Sequence, residues 1–169
     1  VARYHPRWGR LEFASAGHAP VLHVSRENGA VELDPDATPI GILDDLEVRN
    51  RSLVLGDGDV FCVMSDGYPD ACAPGGRRLG IETLRGKLEE LRPRSAREIV
   101  DALAGIVGDH GADAPQADDQ TVVVLKRGRH CDGERTGSRE RAHSRGGGRN
   151  PYPAAHRDGA GVLGVFGRG

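Results

Sequence analysis

Three aspartates stand where a chain can bring carboxylates together. Asp66 comes two residues after Met64, which closes the apolar run Val60-Phe61-Cys62-Val63-Met64, and Gly67 follows it. Asp118 and Asp119 stand just ahead of a second apolar run, Thr121-Val122-Val123-Val124-Leu125. If both runs are strands, each carboxylate lies at a strand end, on the rim of a sheet. Neighbouring strands would then let the carboxylates converge, and Gly67 would allow a sharp turn beside them. Oxygen donors of this kind suit hard divalent cations such as Mg2+ or Mn2+. Two such ions can activate water and clamp a phosphoryl group. The same residues have an ordinary reading: Asp-Gly is a common turn pair, and Asp-Asp ahead of a strand is often a solvated turn. Spacing alone leaves both readings open.

The elements that would position these residues are legible over residues 1–127. Leu11-Glu12-Phe13-Ala14 alternates apolar and polar, as a half-buried strand does. Val21–Val24 and Val31–Leu33 flank a turn containing Asn28-Gly29, which predicts a hairpin. Arg49–Leu55 reads as another strand, and the turn Gly56-Asp57-Gly58-Asp59 leads into Val60–Met64. That uninterrupted apolar run predicts a strand buried on both faces. Two helices follow. Ile81, Leu84, Leu88 and Leu91 recur at helical spacing. Ser95 and Glu98 form a capping box ahead of Ile99, Leu103, Ile106 and Val107. Thr121–Leu125 closes the body as a strand. Strands, then helices, then a strand predict an α+β layered fold rather than repeating βαβ units.

Composition bounds the rest. A chain of 169 residues suggests one domain. Aromatics are only 4% of it, so the core must rest on Val, Leu, Ile and Ala. The formal charge of −2 hides an acidic body and a basic tail. An acidic body argues against nucleic-acid binding by that part. No apolar run approaches a membrane span. Cys62, Cys72 and Cys131 fit neither a disulfide framework nor a zinc site, and read as reduced thiols of a cytoplasmic protein. Residues 128–169 are rich in Arg and Gly and show no period before Val162-Leu163-Gly164-Val165-Phe166. The expectation there is a disordered, solvated tail.

Five short motifs, in order, carry a resemblance. They are Ser15-Ala16-Gly17-His18-Ala19-Pro20, Thr38-Pro39-Ile40-Gly41-Ile42, Gly58-Asp59-Val60 running through Ser65-Asp66-Gly67-Tyr68-Pro69-Asp70-Ala71, Leu79-Gly80-Ile81-Glu82-Thr83-Leu84, and Gln116-Ala117-Asp118-Asp119-Gln120-Thr121. Together they resemble the metal-dependent (PPM-type) protein serine/threonine phosphatases. The branch is that of the sporulation stage II phosphatase E and the stress-response sigma regulators. The resemblance spans residues 1–127. It implies a layered β-sandwich flanked by helices, and hydrolysis of phosphoserine or phosphothreonine by metal-activated water. It implies Mn2+ or Mg2+ in a binuclear centre, with Asp66 and Asp118 as ligands and Asp119 in support. No catalytic residue beyond the metal ligands is implied, and His18 fits a packing or hydrogen-bonding role. The implied partner is a regulatory phosphoprotein of the anti-anti-sigma kind.

The chain also departs from the pattern. Tyr68-Pro69-Asp70 replaces Val-Thr-Glu. The family's upstream Gly-Asp-Val-x-Gly-His/Lys-Gly motif, whose aspartate and following glycine carbonyl help hold both metals, does not occur. The expectation is therefore an N-terminally incomplete domain with an incomplete metal site. Its alternatives to catalysis are an inactive fragment or a module that binds a phosphoprotein. An open sheet edge in such a domain would invite pairing, including dimerisation.

Overall fold

The computed structural model describes residues 1–112, 116, 118–128 and the strand 162–168. The expected layers are present. A small sheet is formed by β1 (Ala2–His5), β2 (Arg10–Phe13) and β5 (Arg51–Val54), in the order β1-β2-β5. A larger sheet contains β3 (Val21–Ser25), β4 (Gly29–Leu33), β6 (Val60–Met64), β7 (Gln120–Lys126) and β8 (Val162–Arg168). Its order is β4-β3-β6-β7-β8, and every pairing is antiparallel. Two helices, α1 (Ile81–Leu91) and α2 (Ala96–Gly111), lie on one face of the large sheet. The small sheet lies on the other face.

The apolar run of β6 explains why the large sheet sits in the middle. Side chains alternate across a strand. Val60, Cys62 and Met64 point toward the helices, where they meet Leu84, Leu88, Ile99 and Leu103. Phe61 points the other way, into a second cluster with Leu11, Phe13, Val21 and Leu55. Phe61 and Phe13 meet edge to face across the sheets, their centroids 5.4 Å apart. Both faces of β6 are therefore dry, as its composition requires.

The helices follow from their own patterns. Leu84 and Leu88 of α1 are fully buried, one turn apart. In α2, Ser95 accepts a hydrogen bond from the Glu98 amide, and the Glu98 carboxylate accepts from Ser95 in return. These bonds hold the Glu98 carboxyl below its usual range.

Two strands differ from expectation. Ala2–His5 lacks an apolar alternation, yet it pairs with β2 from Ala2 opposite Phe13 to His5 opposite Arg10. A tight turn at Pro6–Gly9 imposes that pairing, with Gly9 at φ +63. The segment 128–169, expected to form a disordered tail, lies mostly outside the described residues. Its Val162–Arg168 portion forms β8, paired with β7 from Gln120 opposite Arg168 to Lys126 opposite Val162. The Val-Leu and Val-Phe pairs there are β-prone, and β7 offers an edge with free backbone groups.

Cys62 and Cys72 are free thiols, and burial pushes Cys62 up to about 12. Cys131 lies outside the described residues. Among the described residues, no helix is long and apolar enough to cross a membrane.

Candidate metal centre

The register of β6 and β7 decides where the aspartates go. Met64 stands opposite Val122. Beyond that pair, the Ser65 amide donates to the Thr121 carbonyl at 2.9 Å. The next positions outward are Asp66 on one strand and Gln120, Asp119 and Asp118 on the other. All three candidate ligands thus emerge at one rim of the large sheet, from adjacent strands, and all three are exposed.

Ser65 ties the two strand ends together. Its hydroxyl donates to the Asp119 carbonyl and accepts from the Thr121 amide, each at 2.9 Å. The Asp118 carboxylate is turned back on its own loop, where Oδ1 accepts from the Asp119 amide at 2.7 Å. Gln116 Nε2 donates to the Asp118 carbonyl at 2.8 Å. Among the described residues, the carboxylates of Asp66 and Asp119 accept no hydrogen bond.

Gly67 is what lets the rim close. A Cβ there would sit 2.3 Å from the Asp119 carbonyl oxygen and 3.0 Å from its carbon. Neither backbone atom can move without breaking the Ser65 bridge. Gly67→Ala is expected to cost about 1–3 kcal/mol, as overpacking does. It should also push the Asp119 segment outward. Urea unfolding measures the first effect; loss of hydrogen-exchange protection at the Thr121 amide reports the second.

Tyr68 anchors the loop after Asp66. It is fully buried in the helix-side core. Burial pushes its phenol up to about 12, and its hydroxyl has no partner among the described residues. Turns follow it, with the Asp70 amide bonded to the Asp66 carbonyl at 2.9 Å. Asp70 itself pairs with Arg78 at 2.9 Å. In the departing segment Tyr68-Pro69-Asp70, Tyr68 is thus the residue that holds the loop to the core.

The donors are the right kind and too few. Carboxylate oxygens suit Mg2+ or Mn2+. Among the described residues, no three His, Cys, Asp or Glu side chains gather as a metal-binding group. Asp66, Asp118 and Asp119 share a rim without closing a shell, and six oxygens is the usual need. His18 is placed near this rim, because β3 begins where β6 ends. Its Nδ1 donates to the Ala19 carbonyl at 2.9 Å. Two motifs of the sequence meet beside it: the Gly17 amide donates to the Ala37 carbonyl at 2.8 Å, and Gly17 packs against Pro39. Sequence reasoning singled out the aspartates but missed Ser65, whose place between strand and ligand was its only signal.

Solved structures share this fold. The manganese-presoaked phosphatase domain of the cell fate determinant SpoIIE from Bacillus subtilis matches with a TM-score of 0.61 at 22% identity. That match covers 79% of this chain and 57% of the other. The SiaA-PP2C domain of Pseudomonas aeruginosa matches with a TM-score of 0.62 at 24% identity, covering 71% and 47%. The stacked sheets and the helical layer are therefore those of a PP2C-type phosphatase fold. The family described as Stage II sporulation protein E (SpoIIE) matches residues 1–128, and the chain belongs to that family. It is 29% identical over 131 residues to the phosphoserine phosphatase RsbU of Bacillus subtilis (strain 168). That match covers 75% of this chain and 37% of the relative, so the chain spans well under half of that protein's length.

Proposed function

We propose that the chain contributes the Asp66–Asp118 side of a metal-dependent centre that hydrolyses phosphoserine or phosphothreonine on a regulatory phosphoprotein. One observation carries this reading: the β6–β7 register delivers three exposed aspartates to one rim, with Ser65 and Gly67 locking the strand ends together. Asp66 and Asp118 would hold the cation, with Asp119 in support. When bound, Mn2+ or Mg2+ supplies a water of lowered pKa and charge against the phosphoryl oxygens. The protein's own part is to fix the strand ends that carry the carboxylates. Ser65 sets the spacing of the two strand ends, and Tyr68 holds the Asp66 loop to the core. Membership of the SpoIIE family and the likeness to a phosphoserine phosphatase support the substrate class.

A second reading has its own support. Three carboxylates make an open shell, and the Gly-Asp-Val-x-Gly motif does not occur in these residues. On that reading the chain binds a phosphoprotein without turning it over. Mn2+-dependent hydrolysis of p-nitrophenyl phosphate and of a phosphoserine peptide separates the two. Turnover by the chain that Asp118→Asn abolishes supports catalysis. Peptide binding without turnover, unchanged by chelation of the metal, supports the module instead.

A further inference from the structure

At the end of the large sheet opposite the aspartates lies a cavity of about 710 Å3, lined by Arg26, Arg92, Arg94, Lys126 and Arg127. We propose that it is a docking site for an acidic peptide segment of a partner protein.

The fold assembles this patch from segments far apart in sequence. Arg26 sits in the β3–β4 turn, and Arg92 and Arg94 in the α1–α2 junction. Lys126 and Arg127 stand at the end of β7. The patch is separated from Asp119 by the length of β7, about 20 Å at roughly 3.4 Å per residue. It is a second site, distinct from the aspartate rim.

The charges there are unequal in role. Lys126 donates to the Gly58 carbonyl at 3.3 Å and to the Arg92 carbonyl. Arg127 donates to the Leu55 carbonyl and faces Asp57 at 3.4 Å. These two build the floor. Arg94 reaches Glu98 at 3.8 Å. Arg26 and Arg92 have no acidic partner among the described residues. Among the described residues, Asp57 is the only acid that lines the cavity, so positive charge is in clear excess there within an otherwise acidic body. The N-terminus of α2 adds little, since the Ser95–Glu98 capping box already occupies it.

The shape of the patch selects the ligand. Cations spread over three segments suit an extended ligand carrying several charges better than a single small anion. Arginine's fork pairs bidentately with carboxylates. Among the described residues, no aromatic side chain lines the cavity to stack a base.

The test is fluorescence anisotropy of the full chain with a labelled polyglutamate peptide of about ten residues. Binding should weaken steeply as NaCl rises from about 50 to about 300 mM, because exposed charges are screened. The double variant Arg26→Glu, Arg92→Glu should bind about tenfold or more weakly. Arg26 is exposed and Arg92 half-buried, and the charge-keeping control Arg26→Lys, Arg92→Lys should lose far less affinity than the charge-reversed variant. No binding by the parent chain at low salt overturns the proposal. So does equal binding by the charge-reversed variant, which would place the peptide elsewhere. A single-stranded oligonucleotide of equal charge binding as tightly would overturn the choice of a peptide. None of these readouts depends on phosphatase activity, so they stand apart from the reading of the aspartate rim.

Discussion

Asp66→Asn is expected to weaken Mn2+ binding by about 100-fold or more, measured by calorimetry on the purified chain. Residues that merely orient metal ligands change affinity by about 10- to 100-fold when replaced, and a direct ligand should count for at least as much. The substitution is nearly isosteric, so it removes charge and leaves volume. Asp66 is exposed and its carboxylate bonds to no described residue, so the fold has nothing to lose. The melting temperature should therefore stay within about a degree of the parent, as for surface changes generally. Unchanged Mn2+ affinity would remove Asp66 from the ligand set. A fall in both affinity and melting temperature would mean that Asp66 holds the loop rather than the metal.

Leu103→Ala is expected to cost about 2–5 kcal/mol by urea unfolding, the range for emptying a buried leucine site. Leu103 lies in the middle of the buried face of α2, fully enclosed, within the cluster that includes Val122 and Val124. Collapse around the cavity is hindered on both sides. Below it the antiparallel ladder fixes β6 and β7. Beside it Ile99 and Val107 are already packed. A loss under about 1 kcal/mol would mean that the helical layer is loosely held on the sheet. The variant should also blunt Mn2+ binding, because α2 supports the strand pair that ends at the aspartates.

Much of the fold was legible because period and burial coincide. Val60–Met64 is apolar throughout, and only a strand with cover on both faces can satisfy it. The Asn28-Gly29 turn, the Ser95–Glu98 box and the helical spacing of Leu84 and Leu88 each name one local structure, and each forms. β1 was not legible. Its Ala-Arg-Tyr-His sequence has no pattern of its own, and the turn at Pro6–Gly9 places it. The aspartates were legible as strand-end carboxylates, yet strand order was not. Nothing local states that β7 lies beside β6, across two helices and some 55 residues.

By itself, then, the sequence determined the elements β2 to β7 with the two helices, the acidic body, and the residue types able to hold a hard cation. Those follow from side-chain chemistry and from periods of 2 and 3.6, which are local properties. The tertiary structure decided which strands are neighbours, and so which carboxylates share a rim. It also decided that Gly67 must pass the Asp119 carbonyl, that Tyr68 is a core residue, and that five cations from three distant segments meet at the opposite end. Those are properties of pairing and packing. They depend on contacts between residues far apart in the chain, which only the folded sheet brings together.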